Sequence, residues 1–177
     1  MTIYWGDGTN TATHPSGGKI LQVQSTTKKD TMSHSGTTHT LITGLTVSIT
    51  PASSSNKILL VYNVSLGVAS ATYVEFRIAR GSTDDINIGD ARGSNTRCTQ
   101  YRYADNYYST TDYAHLDIYP FVGNYLDSPS TTSATTYGIY IATTLGSNSM
   151  IVNSSWDSSA AYYGTSTSNI TAMEIAA

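Results

Sequence analysis

Lys57-Ile-Leu-Leu-Val-Tyr-Asn-Val-Ser-Leu-Gly-Val68 is the stretch on which the reading of the fold turns. Ile58, Leu60, Tyr62, Val64 and Leu66 recur at every second residue, the period of a strand with one buried face. The intervening positions begin apolar at Leu59 and Val61 and become polar at Asn63 and Ser65, as in a strand that leaves a fully buried position along its length. The same texture extends both ways. Upstream, residues 19–25 put Leu21 and Val23 on one face, residues 37–43 form a further strand, and residues 45–50 align Val47 with Ile49 before a turn at 51–56. Downstream, Thr72–Arg80 points Val74, Phe76 and Ile78 inward and Glu75 and Arg77 outward, and residues 81–85 read as a turn.

Shorter strands are expected at 86–90 and 97–103, then at 114–126, where Pro120 argues for an edge or a bulge. Residues 135–144 alternate Tyr137, Ile139 and Ile141 against Thr136, Gly138 and Tyr140, and 149–156 and 169–176 complete the series. Roughly eight to ten short strands separated by turns predict a sandwich or barrel. Core faces of Leu, Ile and Val favour two packed sheets. The fold class expected is all-β, an antiparallel jelly-roll-like β-sandwich over residues 18–177 with an extended N-terminal arm at 1–17. The arm holds Tyr4 and Trp5 with no period-2 pattern, an apolar pair suited to docking.

Composition agrees. The 177 residues include 28 Thr, 24 Ser and 14 Tyr but only 2 Phe and 2 Trp. Thr and Tyr suit pleated, half-buried surfaces, whereas helices need more Ala, Leu, Glu and Lys. Charged residues make up 12%, about half the usual ~25%. The apolar runs are too short for a helix to span a bilayer, and the first residues lack the basic and apolar regions of a secretory signal. Nine basic residues against twelve acidic ones, for a net charge of −3, do not suit a phosphate-backbone binder. Cys98, the single cysteine, permits no internal disulfide, which fits assembly in a reducing cytosol.

Several constellations compete with plain structural roles. His115 and Asp117 share a face of an expected strand with Asp112 near, but no nucleophile elbow frames a triad, and an exposed polar strand is the better reading. Asp84, Asp85 and Asp90 lack a calcium-loop spacing and read as a solvated turn, and Asp7 has even less support. Arg97, Gln100 and Arg102 interleave with aromatics as in single-strand binders, yet the charge balance opposes that role. Asn63, Asn153 and Asn169 match the glycosylation sequon but fall within expected strands. Cys98 reads as a partly buried, unreactive thiol. Tyr101, Tyr103, Tyr107, Tyr108 and Tyr113, with Tyr162 and Tyr163, offer stiff contact area at low entropy cost, suited to a protein partner or a glycan. No catalytic residue, metal or cofactor is expected.

Gly-Lys-Ile-Leu-Gln-Val (18–23), Thr-Gly-Leu-Thr-Val-Ser-Ile-Thr-Pro (43–51) running into Ser-Asn-Lys-Ile-Leu-Leu-Val (55–61), and Arg-Gly-Ser-Thr (80–83) resemble a domain of virion proteins from tailed phages, especially those of cyanobacteria and marine bacteria. Gly-Asp-Ala (89–91), Tyr-Leu-Asp-Ser-Pro (125–129), Thr-Thr-Ser-Ala-Thr-Thr-Tyr (131–137) and Ile-Thr-Ala-Met-Glu-Ile (170–175) extend the resemblance over residues 18–177. It implies a non-enzymatic β-sandwich on the virion surface, a homotrimer serving as a tail-fibre head, a head fibre or a decoration protein. Partners would be its own copies, capsid or tail proteins and a host surface glycan, with no nucleic acid and no membrane insertion. Long fibres precede such a head with a shaft. About 17 residues stand here instead, which favours a short protein docked on the particle through its arm. A free carbohydrate-binding module and a polymer hydrolase are the competing expectations.

Overall fold

The structure, a computed structural model, describes residues 18–69, 72–82, 84–104, 117–146, 149–156, 161 and 163–177. Eleven strands are present among them: β1 (Ile20–Lys28), β2 (Met32–Ser35), β3 (Thr40–Ile49), β4 (Lys57–Val68), β5 (Thr72–Arg80), β6 (Asp84–Ile86), β7 (Gln100–Ala104), β8 (Tyr119–Asp127), β9 (Thr135–Thr143), β10 (Ser149–Val152) and β11 (Ser168–Ile175). Every ladder is antiparallel. The arm at 1–17, with Tyr4 and Trp5, lies outside the described residues.

In sheet A, β4 carries β8 along one edge and β11 and then β10 along the other; β1 and β2 pair β11 and β10 in turn. In sheet B, β5 carries β9 along one edge, with β3 beyond it, and β7 and β6 along the other. Counting end-to-end strands as one row gives four rows in each sheet. The first row then pairs the last, the second the seventh, the third the sixth and the fourth the fifth. A long two-stranded ribbon rolled on itself produces that order, and it is the jelly-roll winding. The expected fold class is what the ladders show.

The core lies between the sheets. Ile58, Leu60, Tyr62, Val64 and Leu66 of β4 are at most 3% exposed and face Val74, Phe76 and Ile78 of β5. The core is not purely aliphatic. Tyr62, Phe76 and Phe121 stack from sheet to sheet at 5.2 and 5.5 Å between ring centroids. Pro120 lies exposed on β8, an edge strand, and the Gln100 amide donates to the Val122 carbonyl at 2.7 Å, partly sealing that edge against further pairing.

Several boundaries differ from expectation for definable reasons. The two strands expected at 37–43 and 45–50 are one strand, β3, with a wide bulge between Leu41 and Thr46 that includes Gly44 at φ 78°. β2 was not expected, because Met-Ser-His-Ser has no apolar alternation; pairing with β10 holds it. The turn expected at 81–85 ends early, since Asp84 and Asp85 pair back onto β5 as β6. On β4 the outward positions run opposite to the expected order. Val61 is exposed, whereas Ser65 and Gly67 are buried. Over Gly67 the cause is a strap: the Ser154 carbonyl oxygen, Ser155 Cα and Trp156 N crowd the place a Cβ would occupy, while Ser65 lies against Thr167 and Ser168.

Two polar clusters brace the end of the sandwich where the C-terminal residues lie. Glu174 is 0% exposed and accepts hydrogen bonds from Gln22 Nε2 (2.6 Å), Ala52 N (2.7 Å) and Asn56 Nδ2 (2.6 Å). Burial alone would raise its pKa, but these donors outweigh that and hold the carboxyl below its ordinary range. Asp127 receives Arg80 Nη1 at 3.2 and 3.1 Å and the Tyr137 hydroxyl at 2.7 Å.

Candidate functional site

Sheet B presents a tyrosine ladder on its outer face. Parity on β5 turns Val74, Phe76 and Ile78 into the core and Tyr73, Glu75 and Arg77 away from it. On β7, Tyr103 lies opposite Tyr73 and Tyr101 opposite Glu75. The Tyr73 ring sits 5.3 Å from that of Tyr101 at 20° and 4.7 Å from that of Tyr103 at 44°. Three rings on paired strands form a platform with little freedom to lose on binding. Tyr101 and Tyr103 remain about half exposed, at 51% and 48%.

Beside the platform the face becomes polar and covered. Glu75, expected outward, is only 5% exposed. His39, just before β3, places Nε2 3.2 Å from Glu75 Oε2, near enough to pair but not aligned as a hydrogen bond. Arg77 donates from Nη1 to Asp85 Oδ2 at 2.8 Å. A depression of about 330 Å³ is lined by Thr37, His39, Glu75, Arg77, Thr96, Thr143 and Thr144. A second, of about 340 Å³, is lined by Asn95, Thr96 and Tyr101. Thr96 lines both, so the two depressions adjoin and make up the groove considered below. Within it His39 Nε2, Arg77 Nε and Thr144 Oγ1 are buried without hydrogen-bond partners among the described residues. Burial, then the Arg77 charge, lowers the His39 pKa, so the imidazole is neutral at pH 7. The groove thus combines one buried carboxylate, unsatisfied donors and hydroxyls beside an aromatic wall. No hydroxyl or thiol is hydrogen-bonded to His39 Nε2 among the described residues.

The remaining residues singled out in the sequence occupy other places. Tyr107, Tyr108, Tyr113, Tyr162, His115 and Asp112 lie outside the described residues. Tyr163 belongs to the β10–β11 connection, next to Gly164, whose carbonyl accepts from Ser155 N at 3.0 Å. Asp117 precedes β8 rather than lying on a strand. No group of three or more His, Cys, Asp or Glu gathers as a metal site among the described residues. Gln100 bonds the Tyr62 hydroxyl and the Val122 carbonyl, Arg102 lies 4.4 Å over the Tyr119 ring and Arg97 donates to the Gly89 carbonyl at 2.7 Å. These groups hold the fold together.

Asn153, expected within a strand, sits in the turn after β10 at φ 65°, 0% exposed. Its amide donates to the carbonyls of Lys28 and Asp30, which leaves no access for glycosylation. Burial, with Glu75 nearby, pushes the Cys98 thiol up, as an unreactive thiol requires. Tyr73, Glu75, His39 and Thr96 were not singled out by the sequence. Parity on β5 held the signal for the first two; His39 reaches the groove through the long-range pairing of β3 with β9, and Thr96 from the loop before β7.

No protein-family model matches the chain, and no curated protein matches it. Among solved structures, that of the infectious bursal disease virus Gx strain matches with a TM-score of 0.41 at 12% identity, over 100% of this chain and 41% of that one. The structure of the Gt strain of the same virus matches with a TM-score of 0.37 at 11% identity, over 99% and 45%. The chain therefore spans less than half of either. At these scores the likeness adds nothing to the fold, which rests on the ladders themselves.

Proposed function

We propose that the chain is a non-enzymatic structural protein of a bacteriophage particle, a homotrimeric fibre or decoration protein on the virion surface, attached through residues 1–17 with Tyr4 and Trp5 as anchors. The resemblance of residues 18–177 to phage virion proteins supports the particle. The observation that carries the assembly is the outer face of sheet A. There Leu126, Leu59, Met173 and Val23 lie opposite one another across four strands. Leu126 and Val23 are 47% and 53% exposed, with Val61, Val122, Ile20 and Leu21 exposed around them. The outward positions between them are Ser25, Asn63, Asn124, Asn169 and Thr171, and among the outward positions within β1, β4, β8 and β11 only Lys57 carries charge.

Copies can cover such a face without stripping water from ions. Four rows ~4.8 Å apart and about nine residues long at ~3.3 Å each give roughly 570 Å² of projected face. Shared between the two neighbours of a trimer, that face gives each contact less than the ~800 Å² per partner of a standard interface. Around a threefold axis, the β8 margin of one face would meet the β1 margin of the next, a head-to-tail contact that closes. Sedimentation equilibrium of the purified chain tests this. A species of three times the monomer mass, reduced to monomer by Val23→Lys with Leu126→Lys, supports it; a stable monomer at about micromolar concentration refutes it. Deleting residues 1–17 should leave the trimer folded but absent from particles, and unchanged incorporation removes the anchor role.

The tyrosine ladder favours a second reading, a receptor-binding head that recognises host surface glycan. A free carbohydrate-binding module would share that ladder but remain monomeric.

A further inference from the structure

The groove beside the tyrosine ladder has a composition that selects its ligand. Glu75 supplies an acceptor at the base. Arg77 Nε and His39 Nε2 are buried and without partners among the described residues, and so is the Thr144 hydroxyl. An apolar ligand would leave all of these unpaired, at a desolvation penalty for each. An anion would face the Glu75 carboxylate while the Arg77 charge is already engaged by Asp85 at 2.8 Å. A cation would face that same guanidinium. Hydroxyl groups, each both donor and acceptor, match the mixture.

The neighbouring depression adds the second half. It is walled by Tyr101, whose ring is 51% exposed and fixed against Tyr73, and it continues into the polar depression through Thr96. A flat aromatic face beside a hydroxyl-matching cluster suits a ring that is apolar on one side and polar at its rim. Each depression is at the small end of ligand sites, ~300–1,000 Å³, so one or two such rings fit.

We infer that this groove binds a neutral pyranose unit of a polysaccharide, with Tyr101 against its C–H face and Glu75, Arg77 and His39 bonded to neighbouring hydroxyls. The inference deepens the proposed glycan recognition but is independent of the particle assignment. Sugar binding is measured on the purified chain without any virion, and incorporation is measured without any sugar.

The test is an NMR titration of the full ¹⁵N-labelled chain with methyl glycosides of neutral hexoses, a 6-deoxyhexose and an N-acetylhexosamine, with glucuronate as the charged comparison. At least one neutral glycoside should shift the amides of Glu75, Arg77, Thr96 and Tyr101 with a saturating curve, with Kd on the order of millimolar. Tyr101→Ala and Glu75→Gln should each weaken it about tenfold or more, whereas Ser54→Ala in the exposed turn at 51–56 should change nothing. Tyr101 is an exposed ring, so its variant keeps the test valid should Glu75→Gln fail to fold. Unmoved amides for every neutral glycoside at about 100 mM, shifts confined to another face, full affinity in Tyr101→Ala, or tighter binding of glucuronate would each overturn the assignment.

Discussion

Replacing Glu174 by Gln keeps the shape of a buried side chain and removes its charge, and the surrounding bonds set the cost. Glu174 Oε1 accepts from Ala52 N and Asn56 Nδ2, and Oε2 accepts from Gln22 Nε2. A Gln placed with its oxygen at the Oε1 site keeps two bonds, each weakened from a charged to a neutral acceptor, by ~1 kcal/mol each. Its NH₂ then meets the NH₂ of Gln22. Gln22 cannot turn its amide over, because Nε2 also donates to the Thr50 carbonyl at 2.7 Å. The third bond therefore becomes two opposed donors and adds ~1–3 kcal/mol. Glu174→Gln should destabilise the chain by about 3–5 kcal/mol at pH 7.

The pH dependence sharpens the test. The Glu174 pKa is depressed on folding, so its contribution is complete above the unfolded value of about 4.3 and is lost as pH falls through the folded value. The gap between the variant and the parent should narrow in acid, where both side chains are neutral. Urea unfolding monitored by circular dichroism, at fixed protein concentration and at several pH values between neutrality and about 2.5, reads both effects. Gln22→Leu in the variant background should recover part of the loss by removing the opposed donor. A neutral-pH difference below about 1 kcal/mol, or one that stays the same in acid, would refute the account of Glu174 as an ionised brace.

Two further outcomes arise from the packing. Gly67→Ala should lower stability by about 1–3 kcal/mol, because its Cβ meets backbone atoms of Ser154, Ser155 and Trp156 rather than yielding side-chain ends; an unchanged melting temperature would show that the strap does not press on β4. Burial first, and then the Asp127 carboxylate, push the Tyr137 phenol far above its ordinary pKa, so this stabilisation is complete below about pH 10 and is lost at higher pH as unfolded chains release the proton. In an ultraviolet titration, Tyr137→Phe should remove one tyrosine from the set that ionises only as the chain unfolds, and ionisation of every tyrosine before unfolding would contradict the buried contact.

The sequence carried most where one physical pattern dominated. The limits of β4 and β5 and their inward residues were legible because period-2 burial fixes both register and face. What it could not carry was which outward faces are roofed. Glu75 alternates like a solvent-facing residue, yet His39 and the 330 Å³ groove cover it. Ser65 reads as the solvated end of β4, yet it is 8% exposed, with its amide donating to Ser168 Oγ and its hydroxyl to the Thr167 carbonyl. Glu174 shares the parity of Ile170 and Ala172, so the pattern placed it with the core, but only the fold shows the three donors that allow a carboxylate there. Tyr101 and Tyr103 stood out by residue type. Their partner Tyr73 needed parity, and His39 needed the bulged, long-range pairing of β3 with β9 that no local pattern encodes.

The two outer faces divide the work that a surface protein must do. Sheet A is uncharged across its middle and apolar along one cross-strand row, so copies can bury it with almost no ionic desolvation. Sheet B keeps its charges, but pairs and roofs them, and leaves rings and unsatisfied donors beside them. Burying sheet B against another copy would strand those donors; exposing sheet A would leave a large apolar face in water. The lower-energy arrangement of the proposed trimer turns sheet A inward and sheet B out. That orientation would carry three tyrosine ladders on the periphery, where weak single-ring binding of a repeating polymer is multiplied by simultaneous engagement. Avidity of the trimer for polysaccharide, lost in the Val23→Lys, Leu126→Lys monomer while monosaccharide affinity stays unchanged, is the behaviour that this geometry requires.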